Sequence, residues 1–215
     1  MRFGSTDWEG EHREAPAWTQ VPGFDLSLQR LEPGRTITYS LAPQRIERGF
    51  WISPEAVHTV VRAREGERTR QFLRTDNETW FCYHSQEKDL PHWFVRVPGG
   101  LLHDGSSVSI ARWWTGSGLS RPLLPAGALH DYLTRQWTKD WKQIEIHPSY
   151  PIDEEAKPIR RRTTLRELAL IWGAAVDSLT ARPRWHVRLF ERALALVHPL
   201  HVLMTPGFRW EETQQ

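Results

Sequence analysis

The sequence predicts an α+β fold, with a small antiparallel sheet in the N-terminal half and a three-helix C-terminal part. Three observations lead there. Between Arg35 and Val97 the apolar residues fall in short, often alternating runs rich in β-branched and aromatic side chains. After Gly100 the apolar spacing lengthens to that of a helix. The change happens once, with no internal repeat or low-complexity run on either side.

Residues 1–34 are rich in Gly, Pro and Glu without any apolar period, which predicts an extended N-terminal arm ahead of a single domain spanning 35–215. Within that domain "RTITYSL", "HTVVRAR", "TRQFLRT", "TWFCYH" and "HWFVRVP" read as strands, and "REGE", "TDNE" and "QEKDLP" as the turns between them. "TDNET" is expected to close a hairpin. "PAGALHDYLTRQWTKDW" then places Ala126, Leu129, His130, Leu133 and Trp137 within one stripe about 100° wide. "EIHPSYPIDEEAKPIRRR" is polar and proline-rich and reads as a surface loop. In "TTLRELALIWGAAVDSL", Leu165, Leu168, Trp172, Val176 and Leu179 recur at helical spacing behind Thr163 or Thr164 as N-cap. A third helix restarts after Pro183 in "RPRWHVRLFERALALVHPLHVL".

At 215 residues the chain is long enough to bury a sizeable core. Its formal net charge of +2 permits a basic face without implying a nucleic-acid partner. Cys82 is the only cysteine, so an internal disulfide and a cysteine metal cluster are excluded, and its aromatic strand makes it a core thiol. The segment "MRFGSTDWEGEHREAPAW" has no apolar centre of the signal-peptide kind, and no stretch approaches membrane-spanning length, so synthesis in a cytoplasm is expected. Each of the 12 tryptophans pairs a large apolar body with one N–H, which suits sheet faces, interfaces and ligand grooves.

The chemistry concentrates in "GGLLHDGSSVSIARWWTGSGLSRPLLPAGALHDYLTRQW", residues 99–137, where the pair His-Asp occurs twice. His130 lies on the inner stripe of its helix, with Asp131 about 100° round from it. A buried histidine beside a carboxylate serves as a general base, because imidazole titrates near neutral pH. Asp131, and Asp104 in the loop Asp104-Gly105-Ser106, offer oxygen ligands to a hard cation. His130 would then deprotonate a water while the cation polarises an ester or amide carbonyl. The same residues equally form a polar brace, with His130 bonded to a backbone carbonyl or to Asp104, and Asp131 paired with Arg135. Residue types and spacing leave both readings open.

The order Asp-Gly-x-Ser, a Trp/Pro-rich segment, then Ala and His-Asp-Tyr-Leu stands here as "HDGSSVSIARWW" and "AGALHDYL". It resembles the phage-associated domain of unknown function 1353 over about residues 94–200. The resemblance implies a phage or prophage setting, with the chain made in the host cytoplasm and then carried in the virion. A more distant likeness is to bacterial and fungal phospholipase A2, where such a loop also precedes a His-Asp helix. Carried over, it implies His130 as base, Asp131 as a calcium ligand and Asp104 as a further oxygen ligand. The chain departs from that pattern twice. Its later helix presents Leu165, Leu168, Ala169 and Trp172 inward, with Glu167 outward and Asp177 off the stripe, so no orienting carboxylate is in place. Nor can one cysteine make the disulfides of secreted phospholipases. The resemblances thus imply a structural component of a phage tail or particle, contacting itself or other phage structural proteins. Their alternative is a calcium-dependent, phospholipase A2-like carboxylic ester hydrolase.

Other motifs carry less. Arg160–Arg162, with Arg182, Arg184, Arg188 and Arg192, form a basic region near tryptophans. It reads first as solvated helix face and second as a contact for phosphates or anionic lipid headgroups. His198 and His201, with Pro199 between them, read as structural rather than as metal ligands. "GSGLS" around Ser117 lacks the Lys-Ser/Thr of a phosphate loop and is no nucleophile elbow. Trp113-Trp114 would wall the His-Asp site or fill a subunit contact.

Overall fold

The computed structural model describes residues 8–9, 32–65, 68–103, 124–151 and 157–179, together with Trp185, Arg188, Leu189 and Arg192. In chain order these form β1 (Trp8–Glu9), β2 (Thr36–Ser40), β3 (Gly49–Trp51), β4 (Glu55–Glu65), β5 (Arg68–Thr75), β6 (Thr79–His84), β7 (His92–Val97) and β8 (Leu102–His103). Then come α1 (Leu124–Lys139), β9 (Gln143–Ile146), β10 (Ile159–Arg162) and α2 (Leu165–Leu179). The class is α+β, as the sequence predicts. The helices number two among the described residues rather than three. The third expected helix falls on 182–203, of which only four residues are described, and those four are helical and exposed.

The strands make three antiparallel sheets where one was expected: β1-β2-β4-β5-β8, β3-β6-β7 and β10-β9. Alternation turns Ile37 and Tyr39 of β2, and Trp93, Val95 and Val97 of β7, toward the core. In β6 four successive residues, Thr79 to Cys82, are buried, because that strand is covered on both faces. β3 lies flush on β6. A Cβ at Gly49 would stand 2.5 Å from the Cys82 carbonyl oxygen and 2.6 Å from Phe81 Cζ, so only glycine allows the approach. Burial pushes the Cys82 thiol up to about 11, as befits a core residue.

"TDNET" does not close a hairpin. β5 belongs to the five-stranded sheet and β6 to the three-stranded one, so the chain changes sheet at this turn. The Asn77 side chain and the Asp76 backbone grip β4 instead. Asn77 Oδ1 accepts from Val57 N–H at 2.8 Å, Asn77 Nδ2 donates to the Glu55 carbonyl at 3.0 Å, and Asp76 N–H donates to the Val57 carbonyl at 2.8 Å. The hairpins lie on either side, β4 with β5 and β6 with β7. The stretch 145–162, expected as loop, supplies all of β10 and the last two residues of β9, in a ladder that runs from Ile159↔Ile146 to Arg162↔Gln143.

One core joins both larger sheets to the helices, with Tyr39, Leu73, Phe81, Trp93, Leu129 and Trp172 among its members. α2 packs on β3, β6 and α1, while α1 also meets β7, β8 and β9. A capping box starts α2: Thr164 Oγ1 accepts from Glu167 N–H at 3.2 Å, and Glu167 Oε2 accepts from Thr164 N–H at 2.7 Å. Thr164 is thus the N-cap. Glu167, expected to point outward, closes that cap and binds Arg161 at 3.1 Å; the Arg161 guanidinium also pairs with Glu87 and lies over the Trp93 ring. Asp177, expected off the inner stripe, is buried and holds Arg45 at 2.7 Å. No helix among the described residues is long and apolar enough to cross a membrane.

Candidate functional site

α1 opens on Leu124-Pro125, where the fixed φ of proline suits a first helical turn. From Leu124 to Leu129 every residue is buried, many of them small enough for close packing. α2 covers one side of the helix and β8 and β9 another. That breadth of cover decides where Asp131 goes. Expected on a different side from His130, it turns inward with it, because residues 100° apart both fall under cover. The His130 and Asp131 side chains are 13% and 8% exposed, with Nδ1 of the ring 3.2 Å from Asp131 Oδ1. The ring meets Trp172 of α2 edge-on, with centroids 6.1 Å apart. Arg135, expected as the partner of Asp131, sends Nη2 to the Leu102 carbonyl of β8.

Asp104 and the rest of the loop 104–123, with Ser117 and Trp113-Trp114, lie outside the described residues, as do His198 and His201. The approach of Asp104 to His130 falls with them. The histidine of the first pair is described. His103 sits on β8 opposite Leu73 of β5, fully buried, with Nε2 2.9 Å from Nδ1 of the equally buried His58. Tyr39 packs edge-on against the His58 ring at 5.3 Å.

Both imidazoles are held neutral. Burial pulls His58 down to about 4, against the opposing charge of Asp76. Burial, then the charges of His58 and Arg135, hold His103 well below the usual histidine range. Among the described residues His58 Nε2 has no hydrogen-bond partner. The tautomer in which His58 Nδ1–H donates to His103 therefore leaves an unfilled acceptor rather than an unfilled donor, the cheaper defect in a core. One half of this pair, absent from the motifs above, is nonetheless legible in the sequence: alternation in "EAVHTVV" puts His58 in phase with Ala56 and Val60, on the buried face.

A second cluster, also unforeseen, joins β6, β7 and β9. The Trp80 ring meets His147 at 5.0 Å and Tyr150 at 5.3 Å, and its Nε1–H donates to Glu78, which binds Arg96 at 2.6 Å. Burial lowers His147 and pushes the nearby Tyr132 phenol up to about 12. Among the described residues no three His, Cys, Asp or Glu side chains are grouped to hold a metal ion. What α1 offers chemically is an imidazole oriented by its neighbouring carboxylate in a covered position. No family model, curated protein or solved structure matches the chain.

Proposed function

We propose that the chain is a non-enzymatic structural component of a phage or prophage particle, made in the host cytoplasm and carried in the virion. In this reading the His130–Asp131 pair braces α1 against α2, and the partners are further copies or other phage structural proteins. The observation that carries it is the placement of the pair: imidazole and carboxylate at 3.2 Å, against Trp172, both almost wholly covered. Cover of that kind satisfies polar groups inside a fold. A general base must instead reach a water and an ester carbonyl. The phage setting rests on the resemblance carried by "HDGSSVSIARWW" and "AGALHDYL".

The test compares wild type with His130→Ala in urea denaturation and in hydrolysis of phospholipid esters, with calcium and with chelator. The brace predicts a loss of about 1–3 kcal/mol in the variant, and no chelator-sensitive hydrolysis by wild type. Chelator-sensitive turnover that His130→Ala abolishes while folding survives would overturn it. That result would favour the calcium-dependent hydrolase, with His130 as base and Asp131 and Asp104 at the cation. Mass spectrometry of purified particles checks the setting, and absence of the chain from them would refute it.

A further inference from the structure

The C-terminal end of α1 is closed against the usual residue preference. Lys142 N–H donates to the Trp137 carbonyl at 2.9 Å, the long bond of a Schellman cap. The residue before the donor then turns left-handed, a position that glycine fills most easily. Here it is Trp141, at φ 55°, and Lys142 follows at φ 68°. Two successive residues with side chains in that region strain the backbone. Packing does not compensate, for Trp141 is 90% exposed. The bulkiest side chain stands in solvent on a turn where none at all would be more stable.

Its surroundings are mainly basic, with the half-buried Asp140 the one carboxylate in the turn itself. Lys139 ends α1 and Lys142 follows the turn. Thr163 N–H donates to the Lys142 carbonyl at 2.9 Å, which brings Arg162 and the first turn of α2, with Arg166, alongside. Arg160 lies on the same face of β10 as Arg162. All five cations are exposed, and among the described residues none forms an ion pair. Glu167, the closest carboxylate on α2, is already held by its cap and by Arg161.

We propose that this turn docks on an anionic lipid surface, with Trp141 entering the headgroup layer and the five cations lying against the phosphates. An indole on a projecting turn, with Lys142 next to it and Lys139 two residues before it, has the amphipathic form of an interfacial anchor. Basic residues outside the bilayer core add attraction to anionic headgroups. A nucleic acid would be met by a helix or ribbon in a groove, or by rings lying in a sheet face. Trp141 stands out from a turn instead. The face is about three helical turns from His130, and the inference does not rest on the role of that residue.

The experiment sediments the full-length chain with vesicles of phosphatidylcholine, alone or mixed with phosphatidylglycerol, at low and high salt. Binding is expected on the mixed vesicles only and should weaken with salt. Lys142→Glu and Arg162→Glu should each weaken it about fivefold or more. Trp141→Gly should weaken binding while raising the melting temperature by about 2–4 °C, opposed changes that a purely structural tryptophan would not give. Equal binding to neutral vesicles, wild-type binding by Trp141→Gly, or a lowered melting temperature in that variant would overturn the proposal. So would preferential capture of a short DNA duplex that the same charge reversals abolish.

Discussion

The buried His58–His103 pair makes the fold sensitive to mild acid, and the size of the effect follows from its geometry. In the unfolded chain both imidazoles bind protons below about pH 6.5. In the folded protein His58 refuses one until about 4, and His103 lies well below its usual range. Between those limits the unfolded state holds more protons, so stability falls as the pH falls; above about pH 6.5 the pair contributes no slope. At about 1.36 kcal/mol per pH unit, His58 alone removes about 3 kcal/mol between pH 6.5 and its folded value. Against a typical total of about 5–15 kcal/mol that is a large share. His147, also lowered, acts in the same direction. Glu167 is held below the ordinary 4.5, so its contribution is lost only below about pH 4.5, which leaves the window above that to the histidines. Urea denaturation across about pH 4.5–6.5 measures the slope. His58→Gln/His103→Gln, less stable at neutral pH, should lose most of it. A flat wild-type profile, or an unchanged slope in the double variant, would refute the reasoning.

Two local substitutions probe the fold itself. Thr164→Ala removes the hydroxyl that caps α2 and its bonds to Glu167, and should cost about 1 kcal/mol by urea midpoint; an unchanged midpoint would mean that the cap carries no weight. Gly49→Ala drives a methyl against the Cys82 carbonyl oxygen, a backbone atom that cannot swing aside. It should cost about 1–3 kcal/mol with the denaturant slope preserved, and wild-type stability would show that β3 does not need its close approach to β6.

Period was the part of the sequence that translated directly into structure. Strands β2, β4, β5, β6 and β7 and helices α1 and α2 all lie where alternation or helical spacing put them, because burial on one face imposes a repeat that composition alone does not. What failed was the joining of elements. "TDNET" has hairpin chemistry, yet its Asn77 bonds to the β4 backbone, a partner about twenty residues away that no local pattern announces. β9 and β10 are short, and the proline-rich stretch between them masks the alternation of Ile144 and Ile146. Asp131 and Asp177 look solvent-facing on a wheel drawn with one buried stripe; each belongs to a helix covered from more than one side. Of the candidate site, His130 was legible from its stripe, while the His58–His103 contact spans 45 positions and joins two strands of one sheet only through β5.

The polar anchors of α1 explain why its two ends differ. Along the helix His130 meets Trp172 of α2, Arg135 reaches the Leu102 carbonyl of β8, Gln136 Oε1 accepts from Glu145 N–H of β9 at 3.0 Å, and Trp137 Nε1–H donates to the Thr163 carbonyl at 2.7 Å. Each anchor ties the helix to a different element, so sliding or rotating α1 would break several bonds at once. A helix fixed so firmly needs nothing further from its last turn. Trp141 therefore serves no purpose in folding, for it packs on little, sits in a backbone conformation that resists it, and follows a cap that glycine would close better. The side chains that anchor α1 have partners within the fold, while the Trp141 indole stands in solvent beside exposed cations, so the reason for that side chain lies in what the protein touches.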